Sequence, residues 1–122
     1  MSEDRVKVRV NNLTKKFGDL LVLDDISFEV KEGEFLCIVG PTGCGKTTFL
    51  NSLTKLYDIT AGEILVNGEP VDLKRHNIAY IFQEYSTFPW LKVEENVKYG
   101  LRVKKLPEEE VQRRADQVIA MV

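Results

Sequence analysis

One stretch of the sequence decides the fold, and it runs Gly40-Pro41-Thr42-Gly43-Cys44-Gly45-Lys46-Thr47-Thr48. It fits the pattern G-x-x-x-x-G-K-[ST], in which the backbone amides of a glycine-rich loop surround phosphate groups. An apolar run, 35–39, precedes the stretch, and apolar residues at helical spacing follow it at Phe49, Leu50 and Leu53. A strand, a loop and a helix in this order are the context that the pattern requires. The sequence therefore predicts that the loop binds a nucleoside triphosphate.

The glycines, the lysine and the last two threonines of this loop each have a chemical role. The three glycines let the backbone turn tightly and direct successive N–H groups inward. Lys46 adds a full positive charge for the β and γ phosphates, and Thr47 supplies a hydroxyl that can ligate Mg²⁺. Thr48 is expected to make a further phosphate contact. A turn with a purely structural role would explain the glycines, but not the lysine and the threonine in register after them.

The composition limits the class of protein. The chain has 122 residues, 43% of them hydrophobic and 30% charged, with a formal net charge of -2. This indicates a folded domain, or part of one, and argues against disordered, collagenous and membrane-spanning classes. The charge lacks the basic excess of a nucleic-acid-binding protein, so we expect no nucleic-acid partner.

Residues 1–4 are acidic and polar, so we expect no export signal and a cytoplasmic location. Cys37 and Cys44 are interpreted as free thiols, and Cys44 as a small loop residue rather than a redox sensor.

Hydrophobic periodicity predicts strands on both sides of the loop. Alternating apolar and polar residues at 6–10 and 26–30 indicate two half-buried strands, which we expect to form an antiparallel sheet. The continuous apolar runs 35–39 and 78–82 are typical of parallel strands that are covered on both faces. We expect these two runs to form an inner sheet.

Three further elements follow from local signals. Asn67-Gly68 predicts a hairpin between strands at 63–66 and 69–71. The helix after the loop is predicted over 47–57, and a second helix begins at Pro107, with acidic residues in its first turn. The apolar face predicted for the second helix consists of Val111, Ala115, Val118, Ile119 and Val122. No glycine, asparagine or proline closes this helix, so we expect the chain to stop inside its fold.

Four segments, taken in order, resemble the N-terminal half of the ATP-binding subunits of ATP-binding cassette (ABC) transporters. They are 10–18 (VNNLTKKFG), 23–28 (LDDISF), the phosphate loop and 62–68 (GEILVNG). The resemblance covers nearly the whole chain and implies an α/β P-loop NTPase fold of the ABC type. It implies an N-terminal antiparallel β-subdomain plus part of the parallel core sheet, in a fold left incomplete before the helical subdomain and the Walker B strand. Residues 1–122 would then be the N-terminal part of a single nucleotide-binding domain.

The resemblance also implies roles for residues outside the loop. The segment Ile81-Phe82-Gln83-Glu84 resembles the Q-loop, which implies that Gln83 contacts Mg²⁺ and the attacking water and links the nucleotide site to the membrane partner. Phe17 lies where the family has an aromatic residue that stacks on adenine; a plain core aromatic is the alternative. Lys46 and Gln83 are thus the candidate catalytic residues, and Thr47 and Gln83 the candidate magnesium ligands. ATP and Mg²⁺ are the expected cofactors.

The stretch after the Q-loop resembles the part of such subunits that receives a transmembrane permease. The implied interface covers Gln83–Val97, and Phe88-Pro89-Trp90 is most like importers of nitrate, sulfonate and taurine. Burial of Trp90 in a core is the alternative. The resemblance further implies a dimer with a second ATP-binding subunit, on the cytoplasmic face of the inner or plasma membrane. There the complete protein would couple ATP hydrolysis to solute transport. The likeness to importers implies that this transport is import.

Three motifs of the family do not occur in this sequence: the Leu-Ser-Gly-Gly-Gln signature, a later apolar strand that ends in Asp-Glu, and the switch histidine. The only histidine, His76, precedes the Q-loop and is interpreted as a surface residue. We therefore expect the chain to bind nucleotide without hydrolysing it, and its status as an enzyme stays open. Two alternatives remain. One is a short non-catalytic nucleotide-binding module for regulation or interaction, and the other is a non-transport ABC ATPase of DNA repair or translation.

Overall fold

The computed structural model of the protein describes residues 5–122. Residues 1–4, on which the expectation of no export signal rests, lie outside the described range. The chain divides into two compact units, one that ends at Tyr80 and one that covers Ile81–Val122. The first contains a sheet and one helix, and the second contains two helices.

The first unit is built on an antiparallel sheet of four strands in the order β2-β1-β3-β4. The strands are β1 (Val6–Phe17), β2 (Leu20–Lys31), β3 (Ala61–Val66) and β4 (Glu69–Pro70). The antiparallel pairing expected for 6–10 and 26–30 is confirmed, because these segments lie opposite each other in β1 and β2. The Asn67-Gly68 hairpin is also confirmed, since Val66 pairs with Glu69 across these two residues.

The core of the first unit lies between the sheet and the helix that follows the loop, α1 (Lys46–Leu53). The Phe49 ring of α1 lies 5.3 Å from the Phe28 ring of β2, measured between centroids. The helix is therefore anchored to the sheet within its first turn. The buried apolar residues of this core are Val10, Leu13, Leu23, Phe49, Ile64, Val66 and Val71.

The structure corrects the prediction that the runs 35–39 and 78–82 pair as parallel strands. Neither run is a strand in the described part of the chain, and Phe35 and Ile81 are 89% and 96% exposed. A parallel strand needs neighbours for its backbone hydrogen bonds and cover on both faces. Within residues 5–122 the only paired strands are the four antiparallel ones. The first run instead lines an open apolar cavity of about 410 Å³ with residues of β2 and α1.

α1 ends at Leu53, earlier than the predicted end near Tyr57. The reason is the backbone at Lys55, which has a left-handed φ of 59°. A residue in this conformation stops the helix and turns the chain back. The amides of Leu56 and Tyr57 then both donate to the Asn51 carbonyl, at 2.8 and 3.1 Å.

The second unit is a helical hairpin of α2 (Val93–Val103) and α3 (Glu108–Ala120). The sequence predicted α3, and Val111 and Ala115 are buried as expected. The other three members of its predicted apolar face are exposed in the structure, namely Val118, Ile119 and Val122. The sequence did not predict α2. The ammonium of Lys98, which is 5% exposed, joins the helices by donating to Glu94 at 2.5 Å and to Gln112 at 2.6 Å.

His76 is not a surface residue, which corrects the prediction. Its imidazole is 4% exposed. The Asp72 amide donates to His76 Nδ1 at 2.9 Å, and Nε2 lies 3.5 Å from Glu69 Oε2. The Asp72 carboxylate accepts hydrogen bonds from the amides of Lys74 and Arg75, and the bonds from Arg75 and Lys74 lower its pKa. These bonds close the turn that folds the imidazole inward.

Gly62 holds β3 against β1 at a position that no side chain can occupy. Its φ is +86°, and a Cβ at this position would lie 2.2 Å from the Asn12 carbonyl oxygen. The substitution Gly62→Ala is expected to lower the free energy of unfolding by about 2 kcal/mol or more, because it adds steric overlap to an unfavourable φ. The control Gly68→Ala meets nothing within 4 Å at a φ of +77°. The free energy of unfolding of this control should fall by only about 1 kcal/mol. Equal losses in urea unfolding followed by circular dichroism would contradict this account.

Ion pairs in α3 should make the second unit sensitive to acid. Glu110 accepts hydrogen bonds from Arg113 at 2.5 Å and from Arg114 at 2.6 Å, which hold the pKa of its carboxyl at about 2 instead of 4.5. Because the pKa is lowered by folding, the stabilisation is complete above about pH 4.5 and is lost as the pH falls towards 2. In this window wild type should lose more far-ultraviolet helical signal than Glu110→Gln. The variant Glu109→Gln removes the same charge one residue earlier. It should still lose most of the helical signal that wild type loses in this pH window. Identical acid titrations of wild type and Glu110→Gln would refute the role of these pairs.

Candidate functional site

The predicted phosphate loop is an exposed, non-regular segment that leads directly into α1. The Cys44 amide donates to the Pro41 carbonyl at 3.3 Å, which closes a turn in the loop. Gly43 and Gly45 have φ values of 83° and 101°, in the left-handed region that glycine adopts freely. The sequence places glycine where the backbone requires it.

Gly45 also brings the loop into contact with the sheet. A Cβ at this position would lie 3.0 Å from Leu23 Cδ2 and 3.3 Å from the Val22 carbonyl oxygen. A side chain here would be strained at this φ and would crowd Leu23 and Val22 of β2. The contact therefore fixes the point from which α1 leaves the loop.

The first turn of α1 is suited to an anion. No side chain caps this turn by a hydrogen bond, and no acidic residue lies in it. The first amides of a helix have no partner inside the helix, and the aligned peptide dipoles make this end positive. Phosphate groups bind at such helix ends. Thr47 is exposed in the same turn, where a hydroxyl suits Mg²⁺ held mainly by phosphate and water oxygens. The loop residues therefore fit the magnesium complex of a polyphosphate.

The Lys46 side chain closes the loop. Its ammonium donates a hydrogen bond to the Gly40 carbonyl, so residues from the two ends of the motif are in contact. A phosphate oxygen is a charged acceptor and makes a stronger hydrogen bond with an ammonium than a carbonyl does. A polyphosphate in the loop can therefore take the place of this internal partner.

Phe17 is the last residue of β1, directly before the turn to β2, and is 42% exposed. This exposure does not match the alternative that Phe17 is a core aromatic. Its ring meets the Tyr57 ring edge-on, with centroids 5.4 Å apart, and the Lys15 ammonium lies 4.8 Å from its centroid. Sequence reasoning missed Lys15 and Tyr57, because their contacts depend on how β1 meets the chain beyond α1.

The strand register relates Phe17 to the loop. Leu23, which lies against Gly45, is paired with Lys15 across the hairpin. Phe17 follows Lys15 by two residues, which corresponds to roughly 7 Å along a strand. The loop therefore contacts the same β1–β2 hairpin that carries the exposed Phe17 ring.

Gln83 is placed in the second unit, in an exposed non-regular segment. Its proposed contacts with Mg²⁺ and water stay predictions. Further along this unit, Trp90 is 76% exposed, so it is not buried in a core of the described chain. The Phe88 ring lies 5.3 Å from the Trp90 ring and 4.6 Å from the Tyr99 ring. Together these three residues form a partly exposed aromatic cluster.

Asn96 shapes the backbone beneath this aromatic cluster, and sequence reasoning did not single it out. Its side-chain oxygen accepts from the Phe88 amide at 2.8 Å. Its side-chain amide donates to the carbonyls of Phe88, Leu91 and Lys92 at 3.0 to 3.2 Å. The signal in the sequence was an asparagine in the first helical turn after an aromatic-proline segment. Asn96 therefore fixes the turn that presents Trp90.

The two cysteines, Cys37 and Cys44, are free and exposed, in agreement with the interpretation of both as thiols. Cys37 does not lie inside a strand as expected, because the run 35–39 is unpaired in the described chain. Among residues 5–122, no helix is both long enough and apolar enough to span a membrane.

The sheet, the glycine-rich loop and the helix that it opens define a P-loop nucleotide-binding domain. A family model described as ABC transporter matches residues 23–122. The chain belongs to the ABC transporter family.

Known proteins resemble the chain over nearly its whole length. It is 37% identical over 98% of its length to the spermidine/putrescine import ATP-binding protein PotA of Haemophilus ducreyi. It is 39% identical over 94% of its length to the Fe(3+) ions import ATP-binding protein FbpC of Vibrio cholerae. The chain spans 33% and 34% of the length of these two relatives.

A solved structure supports the fold class. The ATP-binding cassette MJ0796, seen as a dimer in a post-hydrolysis state with ADP and Pi, matches with a TM-score of 0.78 and 32% sequence identity. The match covers 93% of this chain and 56% of that chain. The predicted α/β P-loop NTPase fold of the ABC type, with its N-terminal antiparallel β-subdomain, is confirmed.

Proposed function

We propose that this chain binds MgATP, with the triphosphate in residues 40–48 and the adenine on Phe17. The observation that carries the proposal is the start of α1, an uncapped helix end that follows two left-handed glycines and lies beside the Lys46 ammonium. The first amides of a helix, which have no partner inside the helix, and a neighbouring cation are groups that bind an anion. The exposed Phe17 ring on the adjacent hairpin supplies a surface for a base.

In this proposal each residue has a defined task. Loop amides and Lys46 hold the β and γ phosphates, and Lys46 also offsets the charge that develops on the transferring phosphoryl group. Thr47 would ligate Mg²⁺, and the likeness of residues 81–84 to the Q-loop implies that Gln83 would contact Mg²⁺ and the attacking water. Hydrolysis also needs a group that polarises this water, and none of the motifs that supply it occurs in this sequence. The chain by itself therefore binds nucleotide without appreciable turnover.

The whole protein is proposed to couple ATP hydrolysis to import of a solute. The two relatives named above are import ATP-binding proteins, which supports this direction. The permease would bind along Gln83–Val97, where Phe88 and the exposed Trp90 offer apolar surface. A second ATP-binding subunit completes the dimer, on the cytoplasmic face of the inner or plasma membrane. The likeness to nitrate, sulfonate and taurine importers stays a prediction about the solute.

Removal of the Lys46 ammonium tests the proposal. Lys46→Ala is expected to weaken MgATP binding at least tenfold, about 1.4 kcal/mol or more, because a charge-assisted contact to phosphate is lost. Isothermal titration calorimetry measures this difference directly. Lys74→Ala removes the same charge from an exposed turn and should leave the affinity within about twofold of wild type. Equal affinities of wild type and Lys46→Ala would refute the phosphate-binding role of the loop.

A further inference from the structure

Two side chains outside the motif surround the Phe17 ring. The Phe17 and Tyr57 rings meet edge-on, with centroids 5.4 Å apart and planes at 85°. The Lys15 ammonium lies 4.8 Å from the Phe17 centroid and 5.9 Å from the Tyr57 centroid. Perpendicular aromatic pairs attract through their quadrupoles, and a cation is attracted to a ring face. The three side chains therefore hold one another in place.

Both supporting residues are fixed by the backbone around them. The Lys15 ammonium donates to the Asp58 carbonyl at 2.5 Å, so its position over the ring is not left to a free side chain. The Tyr57 amide donates to the Asn51 carbonyl at 3.1 Å in the turn that ends α1. Tyr57 is thus held by the same helix that begins at the phosphate loop.

This arrangement leaves a defined part of the Phe17 ring for a ligand. The ammonium covers one face, while the residue as a whole stays 42% exposed. A base must therefore stack on the ring surface that Lys15 and Tyr57 leave open. A ring that is already held in position loses less conformational freedom when the base arrives, which favours binding.

We infer that Tyr57 and Lys15 are positioning residues that orient Phe17 for the purine base, and that they set the preference of the site for a nucleoside triphosphate over bare triphosphate. This inference rests on the proposed nucleotide-binding function. It assigns the selectivity for the base to one side chain of β1 and one in the turn after α1, both outside the phosphate motif.

The experiment compares two probes on the same chain, MgATP and the magnesium complex of inorganic triphosphate, by calorimetry. Phe17→Ala should weaken MgATP binding roughly fivefold to a hundredfold, because base stacking is lost. Tyr57→Leu should weaken it about threefold to tenfold, because the aromatic support is lost. Both variants should bind inorganic triphosphate within about twofold of wild type, since the loop is unchanged.

Three further variants separate positioning from general stability. Tyr57→Phe keeps the ring and, unlike Tyr57→Leu, should bind MgATP with wild-type affinity. Lys15→Met removes the ammonium at similar length and should weaken MgATP, but not inorganic triphosphate. Tyr85→Leu removes a fully exposed tyrosine of the second unit and should change neither affinity.

In the Phe17→Ala background, Tyr57→Leu should cause no further loss, because a support has no effect once the ring is gone. Additive losses, equal weakening of both probes, or unchanged MgATP affinity in Tyr57→Leu would each overturn the inference. The proposed function fails separately, and the inference with it, if wild type binds neither probe or if Phe17→Ala leaves MgATP binding unchanged.

Discussion

The backbone at Gly45 is the constraint on which the rest of the site depends. Its left-handed φ and its contact with Val22 and Leu23 of β2 fix where the loop ends and α1 begins. The direction of α1 in turn decides where its uncapped amides point and where the Lys46 ammonium can reach. The Phe49 contact with the sheet then holds the helix in that direction within one turn. A local requirement for glycine thereby sets the geometry of the proposed anion site.

β1 links the loop to the surroundings of Phe17, where the base is proposed to bind. It pairs with β2, which contacts the loop, and with β3, which comes after α1 in the sequence. The Thr60 amide donates to the Thr14 carbonyl of β1 at 2.9 Å, so the segment after α1 is tied to the same strand. Phe17, Lys15 and Tyr57 consequently meet at one end of β1. The proposed phosphate-binding and base-binding parts contact one sheet, so a shift of β1 would disturb both.

The sequence predicted what depends on local signals. The phosphate loop and the Asn67-Gly68 turn follow from residue types at fixed spacing, and the structure contains both. Prediction from the sequence failed where long-range packing decides the structure. The run 35–39 has strand composition but no paired neighbour among the described residues, and α1 stops early because Lys55 is left-handed. His76 is buried because a capped turn folds it inward, which no periodicity in the sequence reveals.

The central claim is that main-chain amides between residues 40 and 48 hold a polyphosphate. Nitrogen-15 NMR of the chain, titrated with the magnesium complex of a nonhydrolysable ATP analogue, tests it most directly. The account expects saturable shifts of the Gly43, Gly45 and Lys46 amide resonances, with the Gly68 amide in the β3–β4 turn unchanged. If these three resonances stay in place at saturating ligand while others move, the phosphates bind elsewhere and the account is contradicted.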